Sequence, residues 1–249
     1  MEFPQFITPC PEGVMELTYT VEASQTDAYG RMRTSDLARQ MEKITEMHLS
    51  SFGIDYLSLR EEGKAWVISW TSIYINKLPA EGDNVILRMW PSKNKAVMYN
   101  RNYGFYTEQG EPLACAASLF VMMDLNTRSV AMPSSKVKAI PVISIPGEAK
   151  PPKMREVMPA ELTKQVTRTV QPTEIDKNGH MNNTCYLDWA DDIRKAEGVD
   201  EKTPTYVWVQ YIQELREGQK ATLSYETMEN SLYMHGKGKA DSFLIKMNY

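Results

Sequence analysis

The stretch PTEIDKNGHMNNTCYLDWADD, residues 172–192, combines two patterns that decide the fold. In its second half Tyr186, Trp189 and Ala190, with Ile193 just after the stretch, recur at helical spacing, which predicts an amphipathic helix. Its first half is rich in hydrogen-bond acceptors, and we interpret it as an extended segment that runs into the helix. The rest of the chain is organised around this junction.

Three polar side chains in the first half of the stretch indicate chemistry. Asp176, Asn178 and His180 alternate, so they share one face if the backbone is extended. Asn182 or Asn183 can then offer a side-chain acceptor to the first free amides of the helix. Because helix N-termini favour negative charge, this is a suitable place to stabilise an oxyanion. We therefore interpret the segment as a candidate active site.

The first half of the chain predicts a strand, a long helix and then several antiparallel strands. The helix is indicated by an apolar face that consists of Leu37, Met41, Ile44 and His48. The strands are predicted at residues 14–25, 65–78, 84–90 and 96–107 and from 112 onwards.

The order then repeats after a change of composition. Six prolines between residues 133 and 160 disfavour regular structure, so we interpret this segment as a surface linker. Beyond it, strands are predicted on both sides of the junction, at residues 164–171, 205–214, 221–228, 231–235 and 242–248. We therefore predict an N-terminal domain at 1–132 and a C-terminal domain at 161–249.

The two halves indicate an internal duplication in which only one copy keeps the polar set. Identically spaced residues precede the two helices, namely Asp27, Gly30 and Met32 in one half and Asp176, Gly179 and Met181 in the other. At three positions the first copy differs in chemistry, with Tyr29, Arg31 and Leu78 opposite Asn178, His180 and Glu214. The second copy is therefore expected to be catalytic, and the first to form the wall of a pocket.

These residues resemble a known family. The motif D-x-N-G-H-M-N-N-x-x-Y at Asp176–Tyr186 is similar to the hotdog thioesterase signature. The tandem order resembles that of the acyl-acyl-carrier-protein (acyl-ACP) thioesterases of bacteria and plant plastids, and the segments at residues 65–90 and 113–133 are similar to the N-terminal domain of that family. The resemblance extends over about residues 14–228. This resemblance implies an α+β fold of two tandem hotdog domains, in each of which an antiparallel sheet wraps around a long central helix.

The resemblance also implies an activity, which is hydrolysis of fatty acyl-ACP to free fatty acid and holo-ACP. Its implied catalytic residues are Asp176, Asn178, His180 and Glu214. In the mechanism that we prefer, Glu214 and His180 activate water, Asn178 and helix amides hold the carbonyl, and Asp176 orients the set. Attack by Asp176 itself is an open alternative. Plant members often carry a cysteine after the glutamate, but here that residue is Leu215.

The first copy supplies candidates for the acyl pocket, because it keeps an apolar helix face without the polar set. We predict that Met41, Ile44, Trp66 and Trp70 line the alkyl chain. The carrier protein is acidic, so its docking surface should be basic. Two clusters are candidates for that surface, Lys93 with Lys95 and Arg101, and Arg128 with Lys136 and Lys138.

Composition limits the partners, the cellular compartment and the cofactors that the protein can have. A net charge of −4 gives no overall case for nucleic acid as a partner, and no apolar run of about 18 residues predicts a membrane span. Three widely spaced cysteines without a CxxC pair suit a reducing cytoplasm, and Cys185 lies on the apolar helix face as expected of a core residue. We expect no metal and no cofactor, and no signal or transit peptide is evident at the N-terminus. The resemblance implies a bacterial-type homodimer.

Three other functions stay open. An acyl-CoA thioesterase is not distinguished from the acyl-ACP enzyme by any motif. A hotdog dehydratase also pairs a histidine with a carboxylate. A non-catalytic acyl-binding protein is disfavoured, because a binding tunnel would prefer apolar residues where the second copy keeps its polar set.

Overall fold

The computed structural model describes residues 2–92, 97–133, 135–150 and 152–249. Its contacts divide the chain into two compact units. The first consists of Met1–Arg33 and Leu37–Pro152, and the second of Thr34–Asp36 and Lys153–Tyr249. Each unit combines one antiparallel sheet with one main helix, as an α+β fold requires.

In the first unit five strands follow the order β1-β3-β4-β5-β2, and every neighbouring pair is antiparallel. The strands are β1 (Met15–Thr20), β2 (Lys64–Ile75), β3 (Asn84–Pro91), β4 (Met98–Tyr106) and β5 (Pro112–Asp124). The helices of this half of the chain are α1 (Thr34–Ser51), α2 (Tyr56–Glu61) and α3 (Ser135–Lys138).

Helix α1 buries the face that its sequence predicts. Met41 and Ile44 are 3% and 0% exposed, and His48 lies on the same face at 2%. Polar contacts tie this face to β4, where the Thr45 and Tyr103 hydroxyls are 2.7 Å apart. We call this helix-covered side of the first sheet its inner face.

The second unit contains the other five strands in the order β7-β10-β9-β8-β6, again antiparallel throughout. Its elements are β6 (Lys164–Thr169), α4 (Cys185–Ala196), β7 (Tyr206–Tyr211), β8 (Lys220–Met228), β9 (Ser231–Lys237) and β10 (Asp241–Asn248). Tyr186 and Trp189 of α4 pack on Phe243, with ring centroids 4.5 and 6.4 Å away. The predicted apolar face of α4 is therefore confirmed. Within the described ranges, no helix has the length and apolar character of a membrane-spanning segment.

Two helices were not predicted. Helix α2 is six residues long and buries only Leu59, too little for a periodic pattern. It depends instead on a capping box, in which the Asp55 carboxylate accepts a hydrogen bond of 2.8 Å from the Ser58 amide. Helix α3 is a single turn inside the proline-rich segment.

The proline-rich segment is divided between the two units. Up to residue 150 it belongs to the first unit, where the Ile143 amide donates to the Pro91 carbonyl at 2.8 Å. Beyond Lys153 it packs on the second unit, and the Glu156 carboxylate pairs with Lys246 at 3.1 Å.

Matching hydrogen bonds confirm the internal duplication. The Met32 amide donates to Pro79 O, and the Met181 amide donates to Leu215 O, each at 2.7 Å. Pro79 and Leu215 are therefore equivalent, and so are the residues that precede them. This confirms the predicted correspondence of Leu78 with Glu214.

Candidate active site

Asp176–His180 forms a tight turn, so the prediction of an extended segment with side chains on one face was wrong. The Asp176 amide donates to His180 O and the Gly179 amide donates to Asp176 O, both at 3.0 Å. Gly179 has a φ of +78°, a conformation that glycine adopts without the strain of a Cβ atom. The turn, rather than strand alternation, brings the three polar side chains together.

The carboxylate of Asp176 organises this turn. Its Oδ1 accepts the Asn178 amide at 2.7 Å, and its Oδ2 accepts the Asn178 side-chain Nδ2 at 3.0 Å. His180 Nδ1 lies 3.9 Å from Oδ1. These contacts are consistent with the predicted orienting role of Asp176. They also engage the side-chain amide of Asn178, which we expected to hold a substrate carbonyl.

The contacts of His180 indicate which ring nitrogen can act as a base. Nδ1 lies 3.3 Å from the Met181 carbonyl oxygen, which can only accept a hydrogen bond. We therefore assign the proton of the neutral ring to Nδ1, which leaves a lone pair on Nε2. The side chain is 23% exposed, so water can reach the ring.

The sequence predicted that Glu214 lies on a strand, and this was wrong. Strand β7 ends at Tyr211, because the next two amides, of Ile212 and Gln213, both donate to Ser242 O and break the regular ladder. Glu214 is therefore in the loop that leads to β8. Its carboxylate accepts a hydrogen bond of 2.9 Å from Arg216, and its side chain is 24% exposed.

Tyr186 of α4 contacts the loop that carries Glu214. Its hydroxyl accepts a hydrogen bond of 3.4 Å from the Leu215 amide. Burial raises the pKa of this phenol, and the negative charges of Glu214 and Asp176 add to the rise. A backbone bond joins the same loop to the turn, because the Met181 amide donates to the Leu215 carbonyl at 2.7 Å. The sequence pattern marked Tyr186 only as part of an apolar face, but a buried tyrosine usually places its hydroxyl against a polar partner.

The N-cap residue of α4 is Thr184, and its side chain makes no capping hydrogen bond. The Asn182 side chain accepts the Thr184 amide at 2.8 Å, and the Asn182 carbonyl accepts the Cys185 amide at 3.0 Å. The Asn182 side chain therefore accepts from the N-cap residue, one position before the helix, and not from a first free amide of the helix as we predicted. Because these two amides are used, they do not serve the substrate carbonyl in this conformation.

Cys185 contacts Glu174, just before the Asp176–His180 turn. Its partly buried sulfur faces the Glu174 carbonyl oxygen at 3.9 Å. The neighbouring Trp189 indole donates to the Glu174 carboxylate at 2.7 Å. Cys185 is only partly buried, so the prediction that it is a core residue was wrong.

The equivalent turn of the first unit has the same backbone but a different charge pattern. The Asp27 carboxylate accepts the amides of Tyr29 and Arg31 and forms an ion pair of 2.8 Å with the Arg31 side chain. Burial opposes ionisation of Asp27, but the hydrogen bonds from Arg31 and Tyr29 outweigh it and lower the pKa of the carboxyl. Here an arginine neutralises the carboxylate, and no imidazole is available as a base.

The four predicted acyl-pocket residues do not share one face. Trp66 stacks on Phe120, and Thr71 bonds to Ser118, so these residues of β2 lie on the inner face. A bulge just before Trp70 shifts the alternation of β2. Trp70 therefore points to the opposite face, whereas Trp66 joins the buried Met41 and Ile44 on the inner one.

One member of the first predicted docking cluster, Arg101, does not lie on the surface. Arg101 is 2% exposed and faces the inner side of β4, so it cannot meet a carrier protein. Lys93 and Lys95 lie outside the described residues. The second cluster is exposed, and it consists of Arg128, Lys136 and Lys138.

No group of three or more His, Cys, Asp and Glu side chains in the described part of the chain has the arrangement of a metal site.

Comparison with known proteins identifies the family. Residues 12–139 match the acyl-ACP thioesterase N-terminal domain, and residues 159–242 match the acyl-ACP thioesterase C-terminal domain. The chain belongs to the acyl-ACP thioesterase family. It is 26% identical over 179 residues to the chloroplastic palmitoyl-acyl carrier protein thioesterase of Cuphea hookeriana, an alignment that covers 64% of this chain and 42% of the relative. The matches span half or less of the curated relatives' lengths.

Solved structures share the fold of this acyl-ACP thioesterase family member. An acyl-ACP thioesterase from Bacteroides thetaiotaomicron superposes with a TM-score of 0.83 at 22% identity, covering 95% of this chain and 97% of that one. The 12:0-ACP thioesterase from Umbellularia californica superposes with a TM-score of 0.84 at 16% identity, covering 96% and 98%. These likenesses confirm the predicted pair of tandem hotdog domains.

Proposed function

We propose that this protein hydrolyses fatty acyl-ACP to a free fatty acid and holo-ACP, and that the second unit carries out the reaction. The observation that carries the proposal is the contrast between the two turns. The Asp176 turn keeps an imidazole with an available Nε2 next to a carboxylate loop, whereas the Asp27 turn is closed by Arg31. Membership of the acyl-ACP thioesterase family supports the thioester as the substrate.

The proposed reaction begins with a water molecule that the Glu214 carboxylate and His180 Nε2 activate. As the water oxygen attacks the thioester carbon, one of these bases takes its proton. The carbonyl oxygen becomes an oxyanion, and Asn178 is the proposed donor to it after exchanging its contact with Asp176. The carbon–sulfur bond then breaks, and the proton passes to the thiolate of the carrier's prosthetic group.

The contacts of Asp176 favour the water route over covalent attack by this residue. A nucleophilic carboxylate needs an oxygen that can approach the carbonyl carbon. Both oxygens of Asp176 already accept hydrogen bonds from Asn178, at 2.7 and 3.0 Å. The backbone bond to Oδ1 persists when the Asn178 side chain turns to the oxyanion, so Asp176 keeps its place in the turn, which favours an orienting role over formation of an anhydride with the acyl group.

The first unit has a supporting role in this proposal. Met41, Ile44 and Trp66 are proposed to contact the alkyl chain on the inner face. Trp70 faces the other side of β2, so we leave it out of the proposed pocket. The exposed cluster of Arg128, Lys136 and Lys138 is the proposed contact for the acidic carrier. We also propose a cytoplasmic homodimer that acts in fatty acid biosynthesis. A mass of about twice 28.5 kDa in light scattering supports the dimer, and the monomer mass refutes it.

One assay tests the activity and its alternatives together. The wild-type protein is incubated with acyl-ACPs and acyl-CoAs of matched, increasing chain length, and free fatty acid and released thiol are measured. Faster hydrolysis of acyl-ACP than of acyl-CoA at the preferred length supports the proposal. Preference for acyl-CoA at every length refutes the carrier assignment. Dehydration of 3-hydroxyacyl-ACP, or binding without turnover, would point to one of the other two functions.

A further inference from the structure

Glu174 lies at the base of a short hairpin, residues 174–182, that carries the Asp176 turn. Two backbone hydrogen bonds close this hairpin, one of 3.0 Å from the Asp176 amide to His180 O and one of 2.8 Å from the Asn182 amide to Glu174 O. Glu174 is therefore two residues before Asp176 in the chain, and its hairpin partner Asn182 leads into α4. Because the hairpin is so short, a displacement of Glu174 is transmitted to the turn.

Both oxygens of the Glu174 carboxylate accept a hydrogen bond. Oε2 accepts the Gln171 amide at 2.7 Å, which is part of a capping box, and Oε1 accepts the Trp189 indole N–H at 2.7 Å. Trp189 is 1% exposed and packs on Phe243, so the core of the second unit holds its ring. The indole bond therefore attaches the base of the hairpin to the second turn of α4.

The first unit has the same hairpin and the same capping box, but glutamines replace both members of the indole bond. Gln25 corresponds to Glu174, and its side-chain oxygen accepts the Glu22 amide at 2.9 Å. Gln40 corresponds to Trp189. A capping box needs one acceptor oxygen, which a glutamine supplies, whereas a carboxylate supplies two. The carboxylate of Glu174 is therefore needed only for the bond to the indole.

We propose that Glu174 and Trp189 are positioning residues for the reaction of the second unit. The inference rests on the proposed function, because it concerns the placement of His180 relative to the loop that carries Glu214. That loop is attached to the same helix, since the Tyr186 hydroxyl accepts one of its backbone amides at 3.4 Å. Helix α4 thus holds the turn through one aromatic side chain and the loop through another. This arrangement sets the separation of the two proposed bases.

The experiment measures kcat and KM for acyl-ACP in two variants that remove the bond. Trp189→Phe keeps a ring and loses the donor, and Glu174→Gln keeps the capping box, as Gln25 shows, and loses the second acceptor. Each folded variant should lose roughly tenfold in kcat, since a misplacement of about 1 Å costs up to about a hundredfold. KM should change by less than about twofold, because neither residue is proposed to contact the acyl chain or the carrier.

A double-mutant cycle assigns the loss to the bond. If both residues act through it, the variant with both substitutions should be no more than about twofold slower than either single variant. Independent effects would multiply to roughly a hundredfold and overturn the inference. Near-normal kcat in folded Glu174→Gln also overturns it, even if Trp189→Phe does not fold.

Trp90→Phe is the matched control, because it breaks the same kind of bond elsewhere. Trp90 is 1% exposed, and its indole donates to the Glu148 carboxylate in the first unit at 3.0 Å. Its loss should leave kcat within about twofold of the wild type, since the site is far from the hairpin in the sequence and shares no partner with it. A loss of kcat in Trp90→Phe equal to that in Trp189→Phe overturns the inference.

Amide hydrogen exchange separates this inference from the proposed function. The Asp176 and Asn182 amides, which close the hairpin, should exchange at least about tenfold faster in Glu174→Gln than in the wild type, and at an unchanged rate in Trp90→Phe. If the wild-type protein hydrolyses no acyl-ACP, the proposed function fails and these rates alone test the inference: faster exchange supports it, and unchanged exchange overturns it. If acyl-ACP is hydrolysed and Glu174→Gln has a normal kcat, the function stands and the inference is refuted.

Discussion

The duplication offers a matched pair of substitutions, Asp176→Asn in the second unit and Asp27→Asn in the first. Each removes the charge of the carboxylate that organises its turn. Each leaves in place the backbone bonds that close the turn, from Asp176 to His180 at 3.0 Å and from Asp27 to Arg31 at 2.8 Å. The two variants therefore perturb similar structures, of which only one is proposed to be catalytic.

The contacts of Asp176 allow an estimate of the loss of stability and of the loss of kcat. Asp176→Asn loses the charge-assisted bond to the Asn178 side chain, while the new amide oxygen can still accept the Asn178 backbone amide. Such bonds contribute about 1.5–3 kcal/mol when buried, and partial exposure of both turns reduces the expected loss to about 1 kcal/mol. Loss of the carboxylate beside His180 should lower kcat by roughly a hundredfold, the lower limit for acid–base groups.

The assay measures acyl-ACP turnover and urea unfolding for both variants. We expect similar losses of stability, a large loss of kcat for Asp176→Asn, and kcat within about threefold of the wild type for Asp27→Asn, since a threefold change corresponds to less than about 1 kcal/mol in the barrier. Equal losses of activity in the two folded variants would refute the division of roles between the turns. So would near-normal activity of folded Asp176→Asn.

Three further substitutions test other parts of the account. Met41→Ala should shift the chain-length preference to longer acyl groups, whereas the core truncation Leu223→Ala in the second unit should not; an unchanged profile in Met41→Ala removes this residue from the pocket. Cys185→Ser should keep most activity, and complete loss in the folded variant would reopen a thiol mechanism. Folded His48 has a pKa of about 4 against about 6.5 when unfolded, so the unfolded state binds more protons below pH 6.5. Stability should therefore fall between pH 6.5 and 4 by on the order of 3 kcal/mol, and urea titrations of His48→Gln should lack this component.

The fold was predictable because its signals are local and occur twice. The apolar face of α4 and the glycine turns are set by neighbouring residues, and a repeated spacing is visible without knowledge of contacts. The correspondence of Leu78 with Glu214 followed from that spacing and is confirmed by backbone hydrogen bonds. Helix α2 was missed because a six-residue helix with one buried side chain leaves no periodic pattern.

The geometry of the candidate site was less predictable, because it depends on irregular backbone. The bulge before Trp70 moves this residue to the opposite face of β2, and no simple alternation rule contains that shift. Strand β7 ends before Glu214, because two successive amides, of Ile212 and Gln213, donate to the same oxygen, Ser242 O. Arg101 looked like a surface charge because arginine is usually exposed, and its burial follows only from strand register and packing.

The most direct test of the central claim is the acyl-ACP turnover rate of His180→Ala, measured beside the first-unit counterpart Arg31→Ala. His180 is the only proposed base with an available ring nitrogen in the Asp176 turn, whereas Arg31 only neutralises Asp27. We predict that His180→Ala folds and loses roughly a hundredfold or more in kcat, the usual scale for a general base. Arg31→Ala should stay within a few-fold of the wild type. A folded His180→Ala variant that hydrolyses acyl-ACP at a near-normal rate would contradict the account.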